Sequence, residues 1–412
     1  MISRTAGRRR ALTAASVSAT ALLVLAGCAP GALSQGEPQP SQQQQPTSTE
    51  TQQPEPTQEP ASFKMSVMGD WLPHDSVIYD AETENGYDFA QFADPIRDVY
   101  DDSDLVYCNQ EVPTAESFPH AYYPTFNSPP ELASGMQEAG CNVIGLGNNH
   151  AFDYGQQGVD ETRQVWDQLS PELIHGAARS PEEQRAVSFT EVNGVTVSFV
   201  NFVSFSNAGN SDYALAFVDN HELRASMMAE AAEADVTIVA MHWGDEYSHE
   251  VNAFQREYSQ ILIDEGADII VGTHPHVVQP VEWMPKDDGT DALVFFSVGN
   301  FLSTQMEIPR LIGMLGQFDV TVEPDGRVLI DNAHTVPTYM HFDLSVYDNV
   351  NENWINRVNL NVYPLWDAAE PLARSGWRDQ VSVESLYAMY DGWAGTDQVP
   401  VVHSADELDD YR

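Results

Sequence analysis

The sequence predicts a layered α/β domain with mixed sheets, and three observations carry that reading. Short apolar runs alternate with segments of helical period, an Asn193-Gly194 pair separates two β-rich runs, and no glycine-rich phosphate loop follows the first strand, unlike a pure dinucleotide-binding fold. The runs at 63–68, 105–108, 143–146, 236–241, 268–271 and 293–297 read as strands buried between layers. Residues 189–192 and 195–202 flank Asn193-Gly194, the strongest short hairpin signal, and Pro324-Asp325-Gly326 predicts a second hairpin. One helix starts at Pro129-Pro130-Glu131 and stops at Gly140, with proline early and glycine just past the end, as helix sterics favour. Another, over 251–265, stops at Gly266 in the same way, and a third lies around 382–390. The core domain therefore spans 61–338, and the aromatic-rich stretch 339–412 is expected to pack on it as a C-terminal extension.

Ahead of the domain, residues 1–27 have the charged, apolar and small-residue zones of a secretory signal, ending in the lipobox Leu25-Ala26-Gly27-Cys28. The apolar run over 11–26 is shorter than the ~20 residues a bilayer crossing needs. Cleavage before Cys28 and its lipidation are the expectation, which puts the protein outside the cytoplasm, anchored to the outer face of the cell membrane. Residues 28–60 are dominated by Pro, Gln, Ser, Thr, Gly and Glu and cannot bury enough apolar surface to fold, so they read as a disordered tether of ~3 Å reach per residue.

The chain carries 62 acidic and 18 basic residues, a net charge of −44. That balance excludes nucleic acid, which needs a basic footprint, and loose adsorption of any other polyanion. An anionic substrate must then be held by something locally positive, such as metal ions. Cys108 and Cys141 remain for pairing. If the strands beside them run parallel, Cys108 lies past the end of one and Cys141 before the start of the next, on the order of 15 Å apart at ~3.3 Å per residue. Two free, buried thiols are therefore expected.

Polar residues gather just after the strands, at the edge where α/β proteins build sites. Asp70 follows the first strand, Asn109 and Glu111 the second, and Asn148-Asn149-His150 the third, with Asp153 one helical turn on. His242 and then His274-Pro275-His276 follow two later strands. Alone, such an Asp is usually a cap and such a His a hydrogen-bonded structural residue. Five groups ending five strands are harder to read that way. Imidazoles, carboxylates and an amide oxygen without thiolate suit Mn, Fe or Zn, and six or more ligands exceed what one catalytic ion takes. Two divalent transition-metal ions are the expected cofactors.

The order GD, NxE, NNHxxDxG, HWGxEY, GTHPHVVQP and SVGNF over 63–305, together with Gly86-Tyr87-Asp88-Phe89, resembles the CapA family of bacterial poly-γ-glutamate capsule synthesis proteins, which belongs with the calcineurin-like metallophosphoesterases. The resemblance implies two stacked mixed β-sheets flanked by helices. It implies that Asp70 holds one metal, Glu111 bridges both, Asn149 and His242 hold the second, and His274 and His276 serve one ion each. His150 would be a proton donor beside the site, oriented by Asp153. The chain departs from the wider superfamily in carrying Leu72 where many relatives have a ligating His, with His74 two positions on, so that His74 either reaches in as a ligand or substrate contact or leaves the first metal an extra water. Glu111 likewise replaces Asp. Asn109 is a candidate amide contact or a turn residue, Glu246 a candidate partner of a ligating His, and Asn300 a substrate contact or turn residue; Trp243 and Tyr247 are pocket wall or core.

Three functions fit. The first is hydrolysis of a phosphoester or related bond by a metal-bound hydroxide, with His150 as general acid. The second is an accessory role in synthesis or export of poly-γ-glutamate capsule or another anionic surface polymer, which would be bound without turnover. The third is hydrolysis or transfer at a γ-glutamyl amide. A proton donor at His150 favours turnover, because a site that only binds has no use for one.

Overall fold

The computed structural model describes residues 59–395 and 398–412. The signal segment, Cys28 and the tether as far as residue 58 lie outside the described residues. Among those described, the strands are β1 (Ala61–Trp71), β2 (Glu82–Thr83), β3 (Gly86–Tyr87), β4 (Leu105–Gln110), β5 (Val143–Gly145), β6 (Leu173–His175), β7 (Ser188–Val192), β8 (Val195–Val203), β9 (Val236–His242), β10 (Ile269–Thr273), β11 (Val281–Pro285), β12 (Asp291–Phe295), β13 (Asn300–Leu302), β14 (Ile312–Val322), β15 (Val328–Asp343) and β16 (Val358–Pro364). One sheet runs β16-β15-β14-β1-β4-β5-β6, with β13 beside the end of β1, and the other runs β11-β12-β10-β9-β8-β7. In the first, β1, β4, β5 and β6 are parallel and β14, β15 and β16 antiparallel. The second has a parallel centre of β8, β9, β10 and β12 with antiparallel edges β7 and β11. Both sheets are mixed, as expected.

The sheets stack face to face. Tyr107 of β4 meets Phe199 of β8 edge-on at 6.0 Å, and Phe295 of β12 meets Phe318 of β14 at 5.9 Å. Strand alternation sorts each residue between this inner core and an outer one. In β9, Val236, Ile238 and Ala240 face inward, whereas Val239 and Met241 face a second core with Leu223, Met227 and Leu262 of the helices His221–Ala231 and Ala253–Asp264. In β10, Ile269 and Val271 face inward and Ile270 outward. The same period carries His242 and Thr273 inward at the strand ends, which is how a packing rule sets a site.

The helix expected over 251–265 forms at Ala253–Asp264, closed by an Asn252/Gln255 capping box. The one expected from Pro129 forms at Glu131–Glu138, and the C-terminal one runs from Val383 to Ala394, longer than expected, between the Ser382 cap and a left-handed Gly395. The hairpins at Asn193-Gly194 and Pro324-Asp325-Gly326 join β7 to β8 and β14 to β15. Beyond Tyr339 the chain is woven into the first sheet: β15 continues to Asp343 and β16 forms the sheet's edge.

The expectation of two free thiols is overturned. Cys108 and Cys141 are joined as a disulfide, with Cα atoms 5.8 Å apart. Cys108 lies within β4 rather than past its end, pairing in register with Ile144. Because Tyr107 faces the inner core, Cys108 points to the opposite face. Cys141 belongs to the turn leaving the Glu131–Glu138 helix, where its N–H donates to the Met136 carbonyl. That turn does not continue the line of β5, so an extended-strand rise overstated the separation.

Closing a loop with a sequence separation of 33 should stabilise the fold by about 3–4 kcal/mol through the unfolded chain. The double variant Cys108→Ala/Cys141→Ala should lose about that much in denaturant unfolding, with a steeper slope because the unlinked unfolded chain exposes more surface. Alkylation of both cysteines in denatured, unreduced protein would show the bond absent.

Candidate metal centre

The inward-facing strand ends converge where β1 and β4 of one sheet approach β9 and β10 of the other. Asp70 and Asn109 pair in register, and Asn109 Nδ2 donates to Asp70 Oδ1 at 2.8 Å. Glu111, one residue beyond β4, is tied by its N–H to the Trp71 carbonyl at 3.1 Å. Within each sheet the backbone of the neighbouring segment comes so close here that side chains are excluded. A Cβ on Gly69 would lie 1.9 Å from the Gly299 carbonyl oxygen, and one on Gly272 2.0 Å from that of Phe296. These contacts explain the glycines ahead of Asp70 and ahead of Thr273-His274.

Two groups of ligand atoms share Glu111. Asp70, Glu111 and His276 form one and Glu111, His242 and His274 the other, with the atoms of each group within 4.8 Å of one another. All five residues are buried. His276 Nε2 and His242 Nε2 each lie 3.6 Å from Glu111 Oε1, and His242 Nε2 is also 2.9 Å from Asn149 Oδ1. The opposite ring nitrogens are fixed: His276 Nδ1 lies 3.0 Å from Asn300 Oδ1 and 3.1 Å from Asp70 Oδ2, and His242 Nδ1 lies 2.9 Å from Thr273 Oγ1. Such outer contacts set ring orientation in metal sites.

Burial, and then the neighbouring Asp70, push the Glu111 carboxyl well above the usual range. Burial also holds His242 well below the usual imidazole range, with the charges of the other histidines adding to it, and pushes His274 down to about 3. Neutral imidazoles are the ligating form. Neither Glu111 oxygen has a hydrogen-bond donor, and Asn109 Oδ1 and His274 Nδ1 are also buried without partners among the described residues. Native proteins rarely leave such groups unsatisfied, and this donor set fits divalent cations. His274 and His276 sit at φ 99° and 57°, and Tyr247, whose N–H donates to the Pro275 carbonyl at 2.8 Å, at φ 65°. Three non-glycine residues in the left-handed region at one site are backbone strain held by their surroundings.

His150 stands beside this cluster, following Asn149. Its Nδ1 lies 2.8 Å from Asp153 Oδ2, which also accepts from the Phe126 N–H at 2.8 Å, and its Nε2 is 3.4 Å from Asn207 Nδ2. Glu246 is exposed and forms a third group with His274 and His276, at the open side. Asn109 lies in a strand, not a turn, and Asn300 contacts a ligand candidate. His74 is in neither group built on Glu111: its Nδ1 contacts the Leu72 carbonyl at 3.0 Å, and its ring packs on Phe126 at 5.3 Å. Trp243 is core, donating to the Phe296 carbonyl at 2.9 Å, while Tyr247 is 40% exposed at the mouth.

Sequence reasoning missed Asn201, Asn207, Thr273 and Phe126. Asn201 accepts the Gly147 N–H at 2.7 Å and so holds the loop that presents Asn149. Its signal was available, as a lone amide in the apolar run Val195–Val203 whose alternation turns it inward. Phe126 lies between His74 and His150, 4.7 Å from the latter, in a loop without periodicity.

The profile of the family described as "Bacterial capsule synthesis protein PGA_cap" matches residues 64–305, more than half of the chain. The chain is similar to the "PGA biosynthesis protein CapA" of Bacillus subtilis (strain 168), 33% identical over 174 residues, 41% of this chain and 44% of that protein. It is 30% identical over 183 residues to the "Capsule biosynthesis protein CapA" of Bacillus anthracis, covering 42% and 43% of the two chains. A "Probable polyglutamine synthesis accessory protein" of Mycobacterium tuberculosis is 24% identical over 156 residues, 34% of this chain and 41% of the relative. These matches span less than half the length of each relative. TT1561 of Thermus thermophilus, a solved structure, covers 65% of this chain and 97% of its own at 10% identity and a TM-score of 0.34. The matched segment contains every residue of the Glu111-centred cluster together with His150 and Asp153, and the chain belongs to the PGA_cap family of bacterial capsule synthesis proteins.

Proposed function

We propose that the protein is a divalent-metal-dependent hydrolase acting on a phosphoester or related bond, anchored through Cys28 to the outer face of the cell membrane. The observation that carries the reading is Glu111, fully buried with both oxygens unpartnered at the meeting point of two ligand groups. Asp70 and His276 would hold one ion and Asn149, His242 and His274 the other, with Glu111 between them. Ions bound there would lower the pKa of water and stabilise charge developing on the substrate's oxygens. Asn300 and Thr273 hold the His276 and His242 rings so that each presents Nε2 toward Glu111. Asp153 holds His150 by Nδ1, and Nε2, 3.4 Å from Asn207 Nδ2, is the nitrogen that would give a proton to the leaving oxygen. Phe126 and Asp153 together limit how far that ring can turn.

A second reading is favoured by the relatives' names: an accessory role in making or exporting poly-γ-glutamate or another anionic surface polymer, bound at the same site without turnover. The His150–Asp153 pair supports turnover over binding alone. No helix among the described residues is long and apolar enough to cross a membrane.

Purified protein should carry close to two transition-metal ions, and Glu111→Ala should lose both by elemental analysis, since one carboxylate serves both groups. Full occupancy retained in the variant would end the shared-ligand assignment. His150→Asn should keep its metal yet slow hydrolysis of an alkyl phosphate by roughly 10²–10⁴-fold. The deficit should shrink sharply on a nitrophenyl phosphate, whose leaving group departs without a proton; metal loss with equal damage to both substrates would instead make His150 a ligand. Metal-loaded wild type inert toward every phosphoester would favour the polymer-binding reading. Cys28→Ala should move the protein from the membrane fraction to the medium, and unchanged retention would mean that something else anchors it.

A further inference from the structure

A cleft of about 480 Å³ opens beside the metal centre, lined among others by His74, Tyr122, Tyr123, Tyr247, Trp354 and Arg310. It is contiguous with the site at two points. Tyr247 lies 6.1 Å from His276, ring to ring, and His74 shares Phe126 with His150. The cleft also contains Arg357, but that guanidinium is committed to Asp75 at 2.6 Å and to the carbonyls of Trp354 and Thr304. Arg310 is differently placed. Its guanidinium carbon lies 3.4 Å from the centroid of the Tyr247 ring, and among the described residues its one ion-pair partner is Glu307, at 2.8 Å.

Its backbone is tied to the metal centre. The Arg310 carbonyl accepts from Asn300 Nδ2 at 3.1 Å, and Asn300 Oδ1 lies 3.0 Å from His276 Nδ1. The guanidinium is thus held at a fixed offset from the ligand cluster by one side chain and one ring. Glu307 is 58% exposed, so its pairing with Arg310 is a rim contact of small worth that an incoming anion can displace. In a chain of net charge −44, a partly buried arginine stacked on an aromatic face beside the candidate metal site, with one displaceable partner, is a recognition element rather than a surface average.

We propose that this cleft is the substrate's second subsite, in which Arg310 pairs with an anionic group, carboxylate or phosphate, carried by the leaving portion, while Tyr247 and Trp354 cover the apolar part that bears it. Substrates of this site are therefore anionic at two places, at the reacting group and again within reach of the cleft. The inference rests on the hydrolase reading for its kinetic form, but not for its binding form.

The test compares 4-carboxyphenyl phosphate with its uncharged isostere 4-carbamoylphenyl phosphate on metal-loaded protein. Wild type should prefer the carboxylate in kcat/KM through KM, and Arg310→Gln should erase that preference by roughly 10- to 100-fold, the usual worth of a hydrogen bond to a charged group, with metal content unchanged. Arg310→Lys should restore part of it. Glu307→Gln, which removes the competing carboxylate from an exposed position, should shift the preference the other way and strengthen it. A preference that survives Arg310→Gln, or equal loss on both esters, would overturn the subsite. Should wild type hydrolyse neither ester, calorimetric binding of 4-carboxybenzylphosphonate against its amide decides separately. Binding that weakens only in Arg310→Gln upholds the subsite while the hydrolase reading fails, and binding indifferent to Arg310 removes the subsite.

Discussion

Two carboxylates buried within one cluster, with no lysine or arginine among the described residues in contact, are the constraint on which the rest of the structure depends. The ion-pair contacts of Asp70 and Glu111 there are to histidines alone, His276 for the first and His242 and His276 for the second. Burial drives His242 and His274 toward neutrality, so these rings do not supply the missing charge. Removing a carboxylate from water costs several kcal/mol even after relaxation, and a partner left out of the interior makes that penalty uncompensated. A protein escapes it by protonating the group or by binding a cation. The upward displacement of Glu111 is the first escape, and the convergence of Asn149, His242, His274 and His276 on the same point is the architecture of the second. Cation binding at such a place is also folding energy, because the unfolded chain has no comparable site.

The fold meets this demand through two mixed sheets. Each has a run of adjacent parallel strands, β1-β4-β5-β6 in one and β8-β9-β10-β12 in the other, and stacking brings ends of both runs to one seam. Alternation then does the selection: inward residues are apolar along β9 and β10 until the last turnward position, where His242 and Thr273 appear. Within each sheet the neighbouring backbone approaches closer than a side chain allows, which is why Gly69 and Gly272 precede Asp70 and Thr273-His274. The histidine loop after β10 bends through left-handed φ at His274 and His276, and the strain is held by Asn300, by Asp70 and by the bond from Tyr247 to the Pro275 carbonyl. The site cannot assemble within either sheet alone. Its candidate ligands come from five strand ends, so its geometry reports on the completed domain.

Much of this was legible in the sequence because it obeys short rules. Strands announced themselves as apolar runs, and polar residues at their ends marked the edge where loops build sites. Asp70, Glu111, Asn149, His242, His274 and His276 were found that way, and the structure gathers them. What stayed hidden depends on the third dimension. The Cys108–Cys141 bond stayed hidden because a rise per residue valid within a strand does not hold for Cys141, which sits in the turn leaving the Glu131–Glu138 helix. Phe126, which lies beside both His74 and His150, sits in a loop with no period to read. Arg310 gave no signal at all, since one arginine after a proline resembles any other until a tyrosine ring is seen beneath it. Trp243, by contrast, adjoined a ligand in sequence and still proved to be core, because neighbours along a strand face opposite ways.

The acidic exterior and the anion-seeking site are one constraint at two distances. Charge on the open surface is screened over roughly a Debye length, about 8 Å at physiological ionic strength, whereas charges inside a cleft lined by protein are screened much less, so the groups within the cleft weigh most there. Inside, the relevant groups are few and close: Arg310 over Tyr247, and the Glu111 cluster, whose donor set could hold divalent cations. Adsorption of a polyanion along the surface is thus discouraged, while insertion of an anionic group into the cleft is not. Selection of this kind works through residence rather than encounter. On the proposed reading it would favour a chain end or a small anionic head over a long charged flank, and it would leave recognition to the few groups that line the cleft.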